Sequence, residues 1–151
     1  MSEIHYAAGL FDGEGYVRIG RRKAQNGNGE VMQVVIGIAM TDPRPLVFMS
    51  RRFTGNVNTQ ARSNPRHRPL HSWMITSRRA NEFLLQVLPF LLVKKEEATL
   101  AIEFQANIDK WNHKLGNRYG YPKHRDSVFA YRRKLAEEIH RLKSVVRPLV
   151  T

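Results

Sequence analysis

The sequence predicts an α+β domain, with one four-stranded antiparallel sheet backed by helices and a further helix towards the C-terminal end. Two observations lead there. Stretches of alternating or β-branched residues come in two pairs, and each pair is followed by a stretch with helical signals. The 151 residues are 42% hydrophobic, enough for one domain with a core.

The elements follow in order. Ile4 to Phe11 is rich in small residues and reads as a short helix, broken by Gly13 and Gly15. Tyr16 to Arg21 alternates in polarity, a strand signal. Ala24 to Glu30, with Asn26-Gly27-Asn28-Gly29, is a turn, and Val31 to Met40 returns to complete a hairpin. Thr41-Asp42-Pro43 starts a helix, capped by Thr41 or Asp42, that runs to about Phe53 and ends at Gly55. Asn56 to Arg62 is a third strand, Ser63 to Pro69 a basic turn, and Leu70 to Thr76 a fourth strand. Ser77 caps a helix through about Leu88, which Pro89 breaks. Lys94 to Asn112 is a longer helix, Lys114 to Arg125 a loop, and Asp126 caps a last helix to about Val145. The two hairpins form a near-repeat, with their polar faces on one side of the sheet and helices on the other.

Charge narrows the partner. Lys and Arg number 25 against 13 Asp and Glu, a net charge of +12, which favours a polyanion. Between Gly15 and Asn81 the only acids are Glu30 and Asp42, and from Pro43 to Asn81 there is none. Ordinary solvated faces mix both signs. A one-sign field dominated by arginine suits phosphates and base edges. No stretch approaches the ~20 apolar residues of a membrane span, and no signal peptide is visible, so an intracellular protein (prokaryotic cytoplasm or organelle matrix) is expected. The absence of cysteine excludes disulfides, zinc-thiolate sites and thiol nucleophiles. The six histidines do not pair at zinc spacing.

The run Ala7-Ala8-Gly9-Leu10-Phe11-Asp12-Gly13-Glu14-Gly15 resembles the LAGLIDADG motif of the homing endonucleases. It departs at Ala7, Phe11 and Gly13, while Glu14 keeps a carboxylate in place of the last Asp. The element order and the later run Leu88 to Ala98 also match that family, so the resemblance spans about residues 3–112, with a helical extension over about 113–151. It implies a saddle-like sheet that lies on double-stranded DNA and metal-dependent hydrolysis of both strands of a long, near-palindromic site. The motif is present once, which in the family goes with a homodimer. Ala8, Gly9, Phe11, Asp12 and Gly13 would form the interface, since small residues four apart such as Gly9 and Gly13 admit a second helix closely. A two-fold axis then brings two Glu14 side chains together.

Two neighbouring carboxylates repel unless neutralised, and Mg²⁺ takes oxygen ligands from carboxylates and phosphate. Glu14 is therefore the expected metal ligand and catalytic acid, with the Gly13 carbonyl a second ligand by resemblance. Mn²⁺ or Ca²⁺ fits the same donors, Ca²⁺ without supporting catalysis. A carboxylate near a helix C-terminus sits at the unfavourable end of the dipole, which favours a functional reason for it. The resemblance makes Asp12 structural, and makes Asp42 and Lys94 helpers: Asp42 to position water, Lys94 (or, by register, Lys95) beside the water network. Asp42 is equally suited to capping the helix.

For DNA contact, strand alternation puts Tyr16, Arg18, Gly20 and Arg22 on one face, joined by Gln33, Asn58, Gln60 and Arg62, and Lys23 at the end of the first strand is a further candidate. Arg and Gln suit bidentate contacts to guanine and adenine. Arg44 is a candidate phosphate ligand. The turns at Gln25 to Asn28 and Asn64 to Arg68, with Arg66 and Arg68, would reach outer base pairs or backbone. In the fourth strand His71 is expected on the DNA face, and Trp73 fits either face. The alternatives are an RNA maturase that binds intron RNA through the same sheet, and a DNA-binding protein that does not cut.

Overall fold

Ser2 starts the first helix: its Oγ accepts the N–H of His5 at 3.4 Å. The helix, α1, spans Glu3–Glu14 in the computed structural model, which describes residues 2–23, 30–115 and 125–148. The expected turn over 24–29 and the loop over 116–124 lie outside the described residues. Gly13 does not break α1 as expected; the helix passes through it and ends at Glu14. The break belongs to Gly15 alone. A Cβ there would stand 2.3 Å from Phe11 Cδ2, so only glycine lets the chain turn under the Phe11 ring.

Gly15–Lys23 forms β1, and Glu30–Met40 forms β2, in antiparallel register from Gly15 opposite Ile38 to Lys23 opposite Glu30. Arg44–Phe53 forms α2. It ends at Thr54 and Gly55, both with positive φ (64° and 91°), and a Cβ on Gly55 would meet Ile75 Cγ2 at 2.5 Å. Asn56–Gln60 forms β3 and Leu70–Thr76 forms β4. Pairing stops at Gln60 opposite Leu70, so Arg62 lies beyond the strand in which it was expected. The sheet order is β1-β2-β4-β3.

Ser77–Val87 forms α3. Ser77 is not its cap: β4 passes directly into α3, Ser77 makes the turn at φ 54°, and Thr76 holds the cap position without a side-chain bond. A single 3-10 turn, Leu88–Phe90, carries Pro89. Lys95–Leu115 forms α4, starting one residue and ending three residues later than expected, and Arg125–Leu142 forms α5, with Asp126 inside its first turn and its end before Val145.

Helices cover one face of the sheet. Phe83 of α3 meets Phe11 of α1, Phe53 of α2 and Trp73 of β4 edge-to-face, at 5.2, 4.9 and 5.5 Å between ring centroids. Each such contact adds about 0.5–1.5 kcal/mol beyond its buried area, so Phe83 joins the first two helices and the sheet. Trp73 is fully buried, and its Nε1 donates to the Thr54 carbonyl at 2.7 Å. Leu135 and Ile139 of α5 belong to the same buried cluster. The C-terminal helix is thus built into the core. No described helix is long and apolar enough to cross a membrane.

Candidate active site and nucleic-acid face

The motif helix delivers its side chains in three directions. Ala7, Ala8 and Phe11 point into the chain's own core and are fully buried. Ala8 and Phe11 were expected at a dimer interface; the requirement of α1 to cover the sheet takes them instead. Gly9 and Gly13 are exposed, and a Cβ at either would meet nothing within 4 Å. The Glu14 carboxylate is exposed at the last turn of α1, where the chain enters β1.

Asp12 takes the third direction. It was expected at the dimer interface, but its carboxylate turns back into its own chain. It accepts the backbone N–H groups of Leu92 (2.7 Å), Val93 (3.2 Å) and Lys94 (3.0 Å). These amides precede α4, so Asp12 caps a helix some 80 residues away and sits at the favourable end of its dipole. Burial would raise its pKa; the three amides outweigh this and hold it below the ordinary value, with the Lys94 charge adding to the effect. Lys94 closes the contact from the other side, its Nζ donating to the Asp12 carbonyl at 2.6 Å. Lys94 is half-buried and its own carbonyl accepts the Ala98 N–H, whereas Lys95 is exposed in the first turn of α4. The geometry favours Lys94 over Lys95 as the lysine held beside the end of α1.

Asp42 and Glu14 stand at the same end of the sheet, because Gly15 pairs with Ile38 near the end of β2. The partner of the Asp42 carboxylate, however, is Arg44: it accepts the Arg44 N–H at 3.0 Å and pairs with the guanidinium at 2.5 Å. Hydrogen bonds from the Arg44 side chain and backbone hold the Asp42 pKa at about 2. Asp42 therefore braces the start of α2 through Arg44, but it is not the expected cap: Pro43 holds the N-cap position, without a side-chain bond. Among the described residues, no group of three or more Asp, Glu or His side chains is poised to hold a metal ion.

Register separates the two faces of the sheet. Tyr16, Arg18, Gly20 and Arg22 of β1 share a face with Gln33, Val35, Gly37 and Ala39 of β2. The same face carries Ser72 and Met74 of β4 and Asn56, Asn58 and Gln60 of β3. Among the described residues of this face, Val35 is the buried apolar side chain, and it lies outside the helix-side core cluster. Tyr16 lies flat across Gly37: a Cβ on Gly37 would meet the Tyr16 Oη at 2.5 Å. Lys23 is exposed at the end of β1. Arg62, Arg66 and Arg68 are exposed on the connection between β3 and β4, where the Asn64 side chain accepts the Arg66 N–H.

His71 is the correction here. Met40 pairs with His71 and Ile38 with Trp73, so both point to the helix side, and His71 Nδ1 meets Thr59 Oγ1 at 2.9 Å. The alternation is strict, and burying Trp73 fixes His71 on the same side.

Two clusters were not legible in the sequence. Arg78 and Arg79, at the start of α3, share a groove of about 920 Å³ with Arg22 and Gln33. Their position directly after a strand whose even-numbered residues face outward was the available signal. Nearer the start of β1, Arg18 lines a groove of about 340 Å³ with Lys143, the residue after α5. No local signal announces that contact.

No family model and no curated protein matches the chain. Solved structures do. The homing endonuclease I-CvuI, in complex with its target in the presence of calcium, superposes with a TM-score of 0.72 at 16% identity, over 98% of this chain and 86% of that one. The archaeal intron-encoded homing endonuclease I-Vdi141I, complexed with DNA, gives 0.71 at 15% identity, over 98% and 89%. The LAGLIDADG homing endonuclease I-GzeII, in complex with its DNA target, gives 0.70 at 15% identity; all of this chain matches 53% of that one. With an exposed acid at the end of its motif helix, an uncovered basic sheet face and these neighbours, the chain has the fold of the LAGLIDADG homing endonucleases.

Proposed function

We propose that this chain is one half of a site-specific DNA endonuclease. Two copies pair through α1 and hydrolyse both strands of a long, near-palindromic duplex site with the help of divalent metal ions. The observation that carries this reading is the setting of Glu14. Its carboxylate is exposed at the end of α1, beside Gly9 and Gly13, whose open side leaves room for a second helix. A second copy on a two-fold axis supplies a second Glu14 and completes a donor set that one chain holds only in half.

Glu14 and the Gly13 carbonyl are hard oxygen donors and fit Mg²⁺. A divalent ion bound there supplies charge stabilisation to the attacking and leaving oxygens of the phosphodiester. The chain's own residues position the rest. Lys94, fixed by Asp12, keeps a positive charge at the end of α1. Arg18, Arg22, Lys23, Gln33, Asn58, Gln60, Arg62, Arg66 and Arg68 provide cations and base-reading amides across and around the open face. Arg44, with its side chain 87% exposed, exchanges Asp42 for a backbone phosphate when DNA arrives.

The test is selection of cleaved duplexes from a randomised library with Mg²⁺. Near-palindromic sites cut on both strands are the expected product. A library left intact by protein that binds duplex DNA would sink the endonuclease reading and leave a binding protein.

A further inference from the structure

The helical extension after α4 has no assigned role, yet its far end reaches the start of α4 and the strand β1. Ile139, 1% exposed, anchors α5 in the core, and Arg147 pairs with Glu96 of α4 at 2.9 Å. Between these two anchors stands Lys143. It lines one groove with Arg18, whose side chain belongs to the open sheet face. Burial lowers the Lys143 pKa; Glu97 opposes this, while Arg18 and Lys94 add to it, so all three charges act on the Lys143 ammonium. Glu97 also feels Lys94, Lys143 and Arg147. Glu96, the neighbouring acid, is engaged by Arg147.

The balance of charge is uneven. Arg18, Arg21 and Lys143 line the groove against one carboxylate, Glu137. Like charges drawn together by packing raise the energy of the free protein, and a phosphate lowers it again. Arg18 fixes the direction from which that phosphate comes, since it stands on the face left open by the helices. Lys94 fixes the place, since its Nζ is bonded to the carbonyl of Asp12, two residues before Glu14.

We propose that Lys143 is a DNA-backbone ligand of the active centre, binding a phosphodiester of the duplex together with Arg18, and that α5 is the element that delivers it. This rests on the endonuclease reading for its ligand, but not on cleavage. The test uses the full chain and a mixed-sequence duplex of about 30 base pairs, with binding measured across a salt series. Removing one phosphate contact lowers the slope of log K against log salt by about 0.9. Lys143→Met, which keeps the aliphatic stem, is expected to show that drop and bind several-fold more weakly, while Lys143→Arg restores both. An unchanged slope and affinity in Lys143→Met overturns the proposal. So does a loss that Lys143→Arg fails to restore, which would mark Lys143 as a packing partner of Glu97.

A second measurement needs no variant. Acetic anhydride should label Lys143 less in the wild-type protein when the duplex is bound; equal labelling overturns the proposal. If wild type binds and shows the Lys143 effects but cuts nothing with Mg²⁺, the endonuclease reading fails and this assignment stands. If wild type cuts and Lys143 is indifferent, the reverse holds. A wild type that binds no duplex refutes both.

Discussion

Asp12 and Lys94 hold each other from both ends: the Asp12 carboxylate accepts the Lys94 N–H at 3.0 Å, and the Lys94 Nζ donates to the Asp12 carbonyl at 2.6 Å. The motif helix and the start of α4 are thereby locked together, one residue from Gly13 and two from Glu14. Both residues are committed to this joint.

Replacing Asp12 with Asn removes a charged acceptor from three amides. The expected cost is about 1–3 kcal/mol of stability at neutral pH. The folded pKa is depressed from its ordinary 3.8, so this contribution is present above that value and is lost as pH falls through the lower folded one. Urea unfolding of wild type and Asp12→Asn should show a gap that is constant at neutral pH and narrows below 3.8. A gap independent of pH would contradict the charge-assisted cap.

Glu14→Gln keeps size and loses charge. Because a metal-bound carboxylate supplies several kcal/mol in the transition state, cleavage with Mg²⁺ should fall at least about a hundredfold. The exposed position predicts an unchanged melting temperature. Wild-type cleavage rates in the variant would remove Glu14 from the mechanism.

The motif glycines should separate into two kinds. Gly15→Ala drives a Cβ against Phe11 and should destabilise the chain, whereas Gly9→Ala meets open space and should raise helix stability by about 0.5–1 kcal/mol. Gly9→Leu should fold but sediment as a monomer. A Gly9→Leu protein with the wild-type sedimentation coefficient, at a concentration where wild type is dimeric, would argue against pairing through α1.

Duplex binding should weaken steeply with added salt, by counterion release from many phosphate contacts. Competition with single-stranded and structured RNA at fixed salt distinguishes the duplex from the maturase alternative. A salt-independent affinity would contradict the role given to the acid-free stretch from Pro43 to Asn81.

The sequence by itself determined the order of elements, the sheet class and the placement of Glu14 at the end of a helix rich in small residues. These follow from local periods, turn residues and a short motif. Element ends were less legible: Ser77 and Gly13 carry strong cap and breaker chemistry, yet the direct joints from β4 to α3 and from α1 to β1 override it. Only the tertiary structure decided which face each side chain serves. Alternation in β4 allows two registers, and the space beside Phe83 selects the one that buries Trp73 and turns His71 away from the open face. Likewise Ala8 and Phe11 read as interface residues until the sheet claims them. Asp12 meets Lys94, and Arg18 meets Lys143, across more than 80 residues of chain. Such contacts leave no local pattern, because the free energy that forms them is gained only once the core has brought distant segments together.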